Sequence, residues 1–333
     1  MTRNQKIKTA MAGCALIAAA ALILALSGVF SGGAYSFADN GKYLSGETDI
    51  TEPVRNLDVA WTAGKVTVVY QAGSTVSVRE SCREALSEDR KLRWWLDGDT
   101  LRIRYMKSGL RLFDTPEKEL TLMLPEGTAL KEVNIGATSG NLEIPDLTAE
   151  TLRLETTSGD ISAGVKAETV RLGATSGDIR AEAETAHLEA ETTSGSQDLT
   201  LKGSAETVKA GSTSGSIALR GEKARRIKAG STSGNLIMDI RTLGEADLST
   251  TSGGVTFQTA AFAQVKIGST SGSVTAKLPS EPGFTAKIGT TSGSVDNSMA
   301  LAKNGDSYTC GDGSGRLEIG TTSGNIRLDA LQE

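Results

Sequence analysis

The triplet Thr-Ser-Gly occurs ten times, beginning at Thr138, Thr157, Thr175, Thr193, Thr213, Thr232, Thr251, Thr270, Thr291 and Thr322. Successive copies lie 18–21 residues apart, except the last, which follows after 31. A short fixed period means stacked units, none of which can bury its inner face alone. With each Thr as position 0, position −5 reads Val133, Leu152, Val170, Leu188, Val208, Ile227, Ala246, Val265, Ala286 and Leu317. Position −3 is Ile, Leu or Ala throughout, and position −1 is Ala, Ser or Thr. Position +4 is aliphatic in every copy but one, Gln197. The positions between are mostly polar, and alternation with period two is a strand with one buried face. Each unit reads as strand, corner, short second strand and a return of about eight residues. Leu199 resumes the apolar pattern after Gln197, so a local bulge is expected there.

The corner itself calls for geometry rather than chemistry. Glycine at +2 is expected to supply a positive φ. The Ser and Thr hydroxyls are expected to bond backbone groups at the turn, forming a ladder at the ~4.8 Å strand spacing. A nucleophile elbow is Gly-x-Ser-x-Gly, whereas Gly211–Gly215 reads Gly-x-x-Ser-Gly, and the chain has a single histidine, His187. A calcium-binding roll needs recurrent Asp, but +3 is Asp only at Asp160 and Asp178. No catalytic residue, metal ligand or cofactor is assigned.

At the N-terminus, Arg3, Lys6 and Lys8 precede an uncharged stretch from Thr9 to Ala38, dense in Ala, Leu and Ile. Its length suits a bilayer span, and the basic residues before it keep that end inside. Residues 1–38 are read as a cytoplasmic tip and single transmembrane anchor, with the rest outside the cytoplasm at the cell membrane. A cleaved signal peptide ending near Ala38 is the alternative. Without the three basic residues, the net charge of −5 becomes −8 for the remainder. That argues against nucleic acid as a main partner. Beyond Cys14 there are only Cys82 and Cys310, at opposite ends of the expected stack, so no bridge between them is predicted.

Upstream of the repeat, residues 54–69 fit the same register around Thr62. Leu57 falls at −5, Val59 at −3, Gly64 at +2 and Val66 at +4, a divergent first rung. Two strands are expected around Asp97-Gly98-Asp99. Trp61, Trp94 and Trp95 all lie in this part. The Trp94–Trp95 pair reads as a plug for the open end, with a carbohydrate platform as the alternative. Residues 299–315 are an inserted loop.

The expected architecture is all-β: a single-stranded parallel β-helix, or β-solenoid, of about ten to twelve rungs of about 19 residues. It would carry the N-terminal transmembrane helix, an irregular β cap over residues 39–131 and the repeat solenoid over 132–329. The anchor, the Leu122–Pro125 strand, the repeated TSG-[DNS]-[ILV] rungs and the Gly-rich insertion before the last rung resemble the bacterial "putative adhesin" family, a domain of unknown function. The similarity spans roughly residues 50–329. It implies a β-solenoid in the cell envelope, with links to envelope stress or adhesion, and supplies no catalytic residues.

The function expected is therefore a membrane-anchored, non-enzymatic surface module with an envelope polymer or surface protein as partner. The alternative is a polysaccharide-active β-helix enzyme, a lyase or hydrolase. That class needs paired carboxylates or a base in a groove walled by long loops, and the short uniform returns build none. Ice binding would need a flat Thr-x-Thr face, which these corner threonines do not make. Stacking lines up the −4 residues: Arg153, Arg171, Lys209, Lys228, Lys266 and Lys287 are basic, while Glu189, Asp247 and Glu318 are acidic. Two expected neighbour pairs, Lys209–Lys228 and Lys266–Lys287, carry like charge. These four lysines are the candidate site for weakly holding an anionic envelope polymer.

Overall fold

A computed structural model of the chain describes residues 30–31, 34–35, 37–110 and 115–331. The expected transmembrane segment lies almost entirely outside them. Among the described residues, no helix is long and apolar enough to cross a membrane. The described chain is all-β, and its one helix is a 3-10 turn at Asn40–Lys42. It divides into two compact units, one ending at Ala183 and one beginning at Glu184.

In the first unit, strand Asn56–Gln71 lies inside a parallel stack. One edge pairs with Ala129–Thr156, setting Leu57 against Val133, Val59 against Ile135, Gly64 against Gly140 and Val66 against Leu142. The stretch around Thr62 is thus a rung in the expected register. It is not outermost. Its other edge pairs in parallel with Thr100–Arg104 and Lys118–Pro125, which form a split rung beyond it. Antiparallel strands Val76–Cys82 and Arg93–Asp97 close over that rung. The expected turn at Asp97-Gly98-Asp99 joins two of these strands, Arg93–Asp97 and Thr100–Arg104.

In the second unit, Gln197–Ser212, Ile217–Ser231 and Leu236–Thr250 stack in chain order and in register. The returns are themselves strand: Ile217–Ser231 runs unbroken from one corner to the next. Alanines and leucines of the returns, such as Ala205, Ala224 and Leu243, are buried and form a third inner side. Val255–Gln258 and Ala261–Ser269 continue the order against Leu236–Thr250, and beyond them chain order fails. Ala261–Ser269 pairs with Gly315–Thr321, which pairs in turn with Phe284–Thr290. After the corner, Val274–Leu278 pairs with Ile326–Ala330, and that with Val295–Asn297. The last rung in sequence is inserted between the two before it.

The inward residues explain this order. The inserted rung offers four large aliphatics, Leu317, Ile319, Ile326 and Leu328, each at most 1% exposed. Burying such side chains contributes about 1.5–3 kcal/mol each. The displaced rung has Asn297 at the position equivalent to Leu328. At the end of the stack, Asn297 reaches the backbone of Met299 with both polar atoms, and Val295 is 41% exposed. Chain order would have buried an asparagine and exposed two aliphatics. The insertion at 299–315 is not irregular, since Ala302–Asn304 and Ser307–Cys310 form a hairpin covering the edge of Phe284–Thr290.

The corner differs from expectation in two respects. No Thr-Ser-Gly glycine has positive φ; Gly64 of the divergent rung does, at 102°. From Gly159 onward, most of the repeat glycines are needed because rungs touch there. A Cβ on Gly177 would lie 1.7 Å from the carbonyl oxygen of Gly159, and one on Gly253 1.9 Å from that of Gly234. The inner hydroxyl ladder belongs to position −1, not to the triplet. Thr156 Oγ1 donates to the Gly140 carbonyl and accepts from the Gly159 N–H, and Ser231 and Thr250 repeat the pattern. An inward residue at that place must be small and is best hydroxylated, which accounts for Ala, Ser or Thr.

Gln197 makes no bulge. It pairs in register with Ile217, and the shift in this strand falls later, between Leu201 and Ser204. Its Nε2 donates to Thr192 Oγ1 and the Gly211 carbonyl, which lets the polar side chain stay inside. Its Oε1 is buried without a partner among the described residues.

Candidate functional site

The outward −4 column of the second unit is the surface that sequence singled out. Strand register places Lys209 beside Lys228, Lys228 beside Asp247, and Asp247 beside Lys266. Lys209 Nζ also lies 3.9 Å from Glu189 Oε1. The expected Lys266–Lys287 contact does not exist, because Glu318 of the inserted rung stands between them. From Glu189 to Lys287 the column therefore alternates in sign except at Lys209–Lys228. Lys209 and Lys287 are exposed, while Lys228 and Lys266 are half-buried. Burial, and then the charge of Glu189, push the Glu191 carboxyl up, against the pull of Lys209.

Beside this column runs position −2: Gly211, Gly230, Ser249, Gly268, Gly320 and Gly289, in the order of the stacked strands. A Cβ on Gly211, Gly268 or Gly320 would meet nothing within 4 Å. The lysines thus border a strip of nearly bare backbone.

The tryptophan pair does not form one platform. Trp94 lies opposite buried Ile103 and Trp95 opposite Arg102, so strand alternation sends them to opposite faces. Trp95 meets Tyr43 edge-on at 5.7 Å, with Lys42 Nζ 4.6 Å from its ring and Arg102 at 5.8 Å. Asp58 binds Arg102 and Arg104, and Asp39 binds Lys42.

Sequence reading missed one constellation. The Lys118 side chain is wholly buried, and its Nζ lies 2.7 Å from Oε1 of Glu80, whose side chain is 5% exposed. The ammonium also donates to the carbonyls of Arg90 and Tyr105 and sits against the Trp61 and Tyr105 rings. Burial lowers the Lys118 pKa, and Glu80 opposes that shift. The signal was present: Lys118 has the inward parity of Leu120, Leu122 and Leu124, and Glu80 that of Val76 and Val78. With all three donors engaged, the pair pins the split rung. Cys82 and Cys310 are free thiols. Among the described residues, no group of three or more His, Cys, Asp or Glu is placed to hold a metal.

Residues 54–264 and 182–329 match the Toastrack DUF4097 family. The chain belongs to that family. This is the domain of unknown function expected from the Thr-Ser-Gly rungs, and the two overlapping matches reflect the repeat. The Toastrack chain is also similar to a "putative cell adhesion protein" from Clostridium sporogenes, at 12% identity and TM-score 0.20, over 86% of this chain and 100% of that one. A "putative adhesin" from Bacteroides fragilis is 11% identical with TM-score 0.29, over 86% and 96%. No curated protein matches the sequence.

Proposed function

We propose that this Toastrack protein is a membrane-anchored, extracytoplasmic and non-enzymatic surface module of adhesin-like type, which weakly holds an anionic envelope polymer. The observation that carries the ligand reading is the Lys209–Lys228 pair. It is the one like-charge contact in a column that otherwise alternates from Glu189 to Lys287. Cations directly opposite on neighbouring strands are mildly unfavourable, and an anion lying across both relieves them. The glycine strip beside them lets an extended chain approach the backbone closely. Lys266 and Lys287, each next to Glu318, have a secondary part.

The test is binding of the purified protein to isolated envelope polymer at low and high salt, alongside a Lys209→Gln/Lys228→Gln variant. Binding that weakens as the screening length falls below about 10 Å, and that the variant loses, supports the reading. Equal binding by both proteins, or binding indifferent to salt, refutes it.

A further inference from the structure

We infer that residues 315–331 form an exchangeable plug, and that the slot they fill accepts the same segment from a second copy of this chain. Both strands of the plug are hydrogen-bonded along both edges, to Ala261–Ser269 and Val274–Leu278 on one side and Phe284–Thr290 and Val295–Asn297 on the other. It carries its own apolar complement, Leu317, Ile319, Ile326 and Leu328, into the slot. It is joined to the preceding hairpin only through the turn Gly311–Ser314. Gly311 and Gly313 have positive φ there, and Asp312 accepts from the N–H groups of Gly283 and Ser314.

The two walls of the slot have the same register toward the plug. Lys266 and Lys287 both face Glu318, and Ile267 and Ile288 both face Ile319. When the plug leaves, the walls can close on each other or take another plug. Closing sets Lys266 directly against Lys287, which disfavours the collapsed state. Refilling restores the alternation of charge and buries the aliphatics again. An identical segment from another copy meets every one of these requirements, and exchanging it is a low-cost route to a dimer.

Three single variants of the full chain test this: Lys266→Cys, Lys287→Cys and Glu318→Cys. Pairs are mixed, warmed briefly toward the unfolding transition, cooled and oxidised, and the joined peptides are identified by mass. Exchange predicts 318–287 and 318–266 cross-links between chains, rising with protein concentration and at least about tenfold above the mixture of Lys266→Cys with Lys287→Cys. Those two positions flank the plug about 9.6 Å apart, beyond the reach of a disulfide. Links to 318 no more frequent than the 266–287 link indicate surface collision and overturn the proposal, as does the absence of any link between chains. A Lys287→Cys/Glu318→Cys chain must close its own disulfide at high dilution; failure to do so refutes the slot geometry and the proposal with it.

Discussion

Replacing Gly253 by alanine tests why the corner needs glycine. The added Cβ would lie 1.9 Å from the Gly234 carbonyl oxygen, whereas ordinary contact begins at about 3.5 Å. The two rungs must part by about 1.5 Å at this point, and three hydrogen bonds cross or brace it. Ser252 N–H donates to the Thr232 carbonyl at 2.9 Å. Gly253 N–H donates to Thr250 Oγ1 at 3.0 Å, and that hydroxyl donates to the Gly234 carbonyl at 3.2 Å. At about 1 kcal/mol each, their loss costs about 3 kcal/mol. For a unit of this size that lowers the melting temperature by about 6–12 °C. Gly268→Ala is the matched control: its Cβ meets nothing within 4 Å, so melting should be unchanged or slightly raised, since glycine in a strand is itself unfavourable. Both variants are melted by far-UV circular dichroism. If Gly253→Ala melts with wild type, or both variants fall equally, close approach is not the reason for the triplet.

Lys118→Met leaves Glu80 charged and buried, and should cost about 3–5 kcal/mol in denaturant unfolding; Lys118→Met/Glu80→Met should recover much of it. Gln197→Ile removes the orphan carbonyl and should be neutral or stabilising within about 1 kcal/mol, and a loss above about 2 kcal/mol would show that the amide is needed. Burial raises the Cys310 thiol pKa, so less of it is the reactive thiolate at neutral pH. Peptide mass spectrometry should find Cys310 alkylated well after half-buried Cys82, with the lag lost in denaturant. In cell fractionation the whole chain should stay with the membrane through high-salt washing, and a soluble form starting near Asp39 would show that the apolar segment is cleaved.

Alternation alone made the faces of each rung legible: Val265, Ile267 and Val274 point in, and Lys266 points out, as their spacing from Thr270 requires. Neighbour order was not legible from that pattern. Every rung presents the same register along its edges, so 284–297 fits against 261–278 as well as 315–330 does. The deciding residues were visible but isolated: Asn297 marks an end rung, and Glu318 separates two lysines. A glycine at the corner is legible but its reason is not, because a contact between rungs cannot be seen within one rung. Lys118 and Glu80 obeyed the inward parity, but charge obscured them. The Lys209–Lys228 contact followed from sequence, whereas Lys266–Lys287 failed because it assumed chain order.

The most direct measurement is which of two disulfides forms within one chain. Lys266→Cys/Glu318→Cys places the two thiols on neighbouring strands about 4.8 Å apart, while Lys266→Cys/Lys287→Cys separates them by two strand spacings. Oxidation at high dilution, read by peptide mass, should close the 266–318 bridge and leave 266 and 287 unjoined. A 266–287 bridge without a 266–318 bridge would mean that the rungs stack in chain order and that the inserted last rung does not exist.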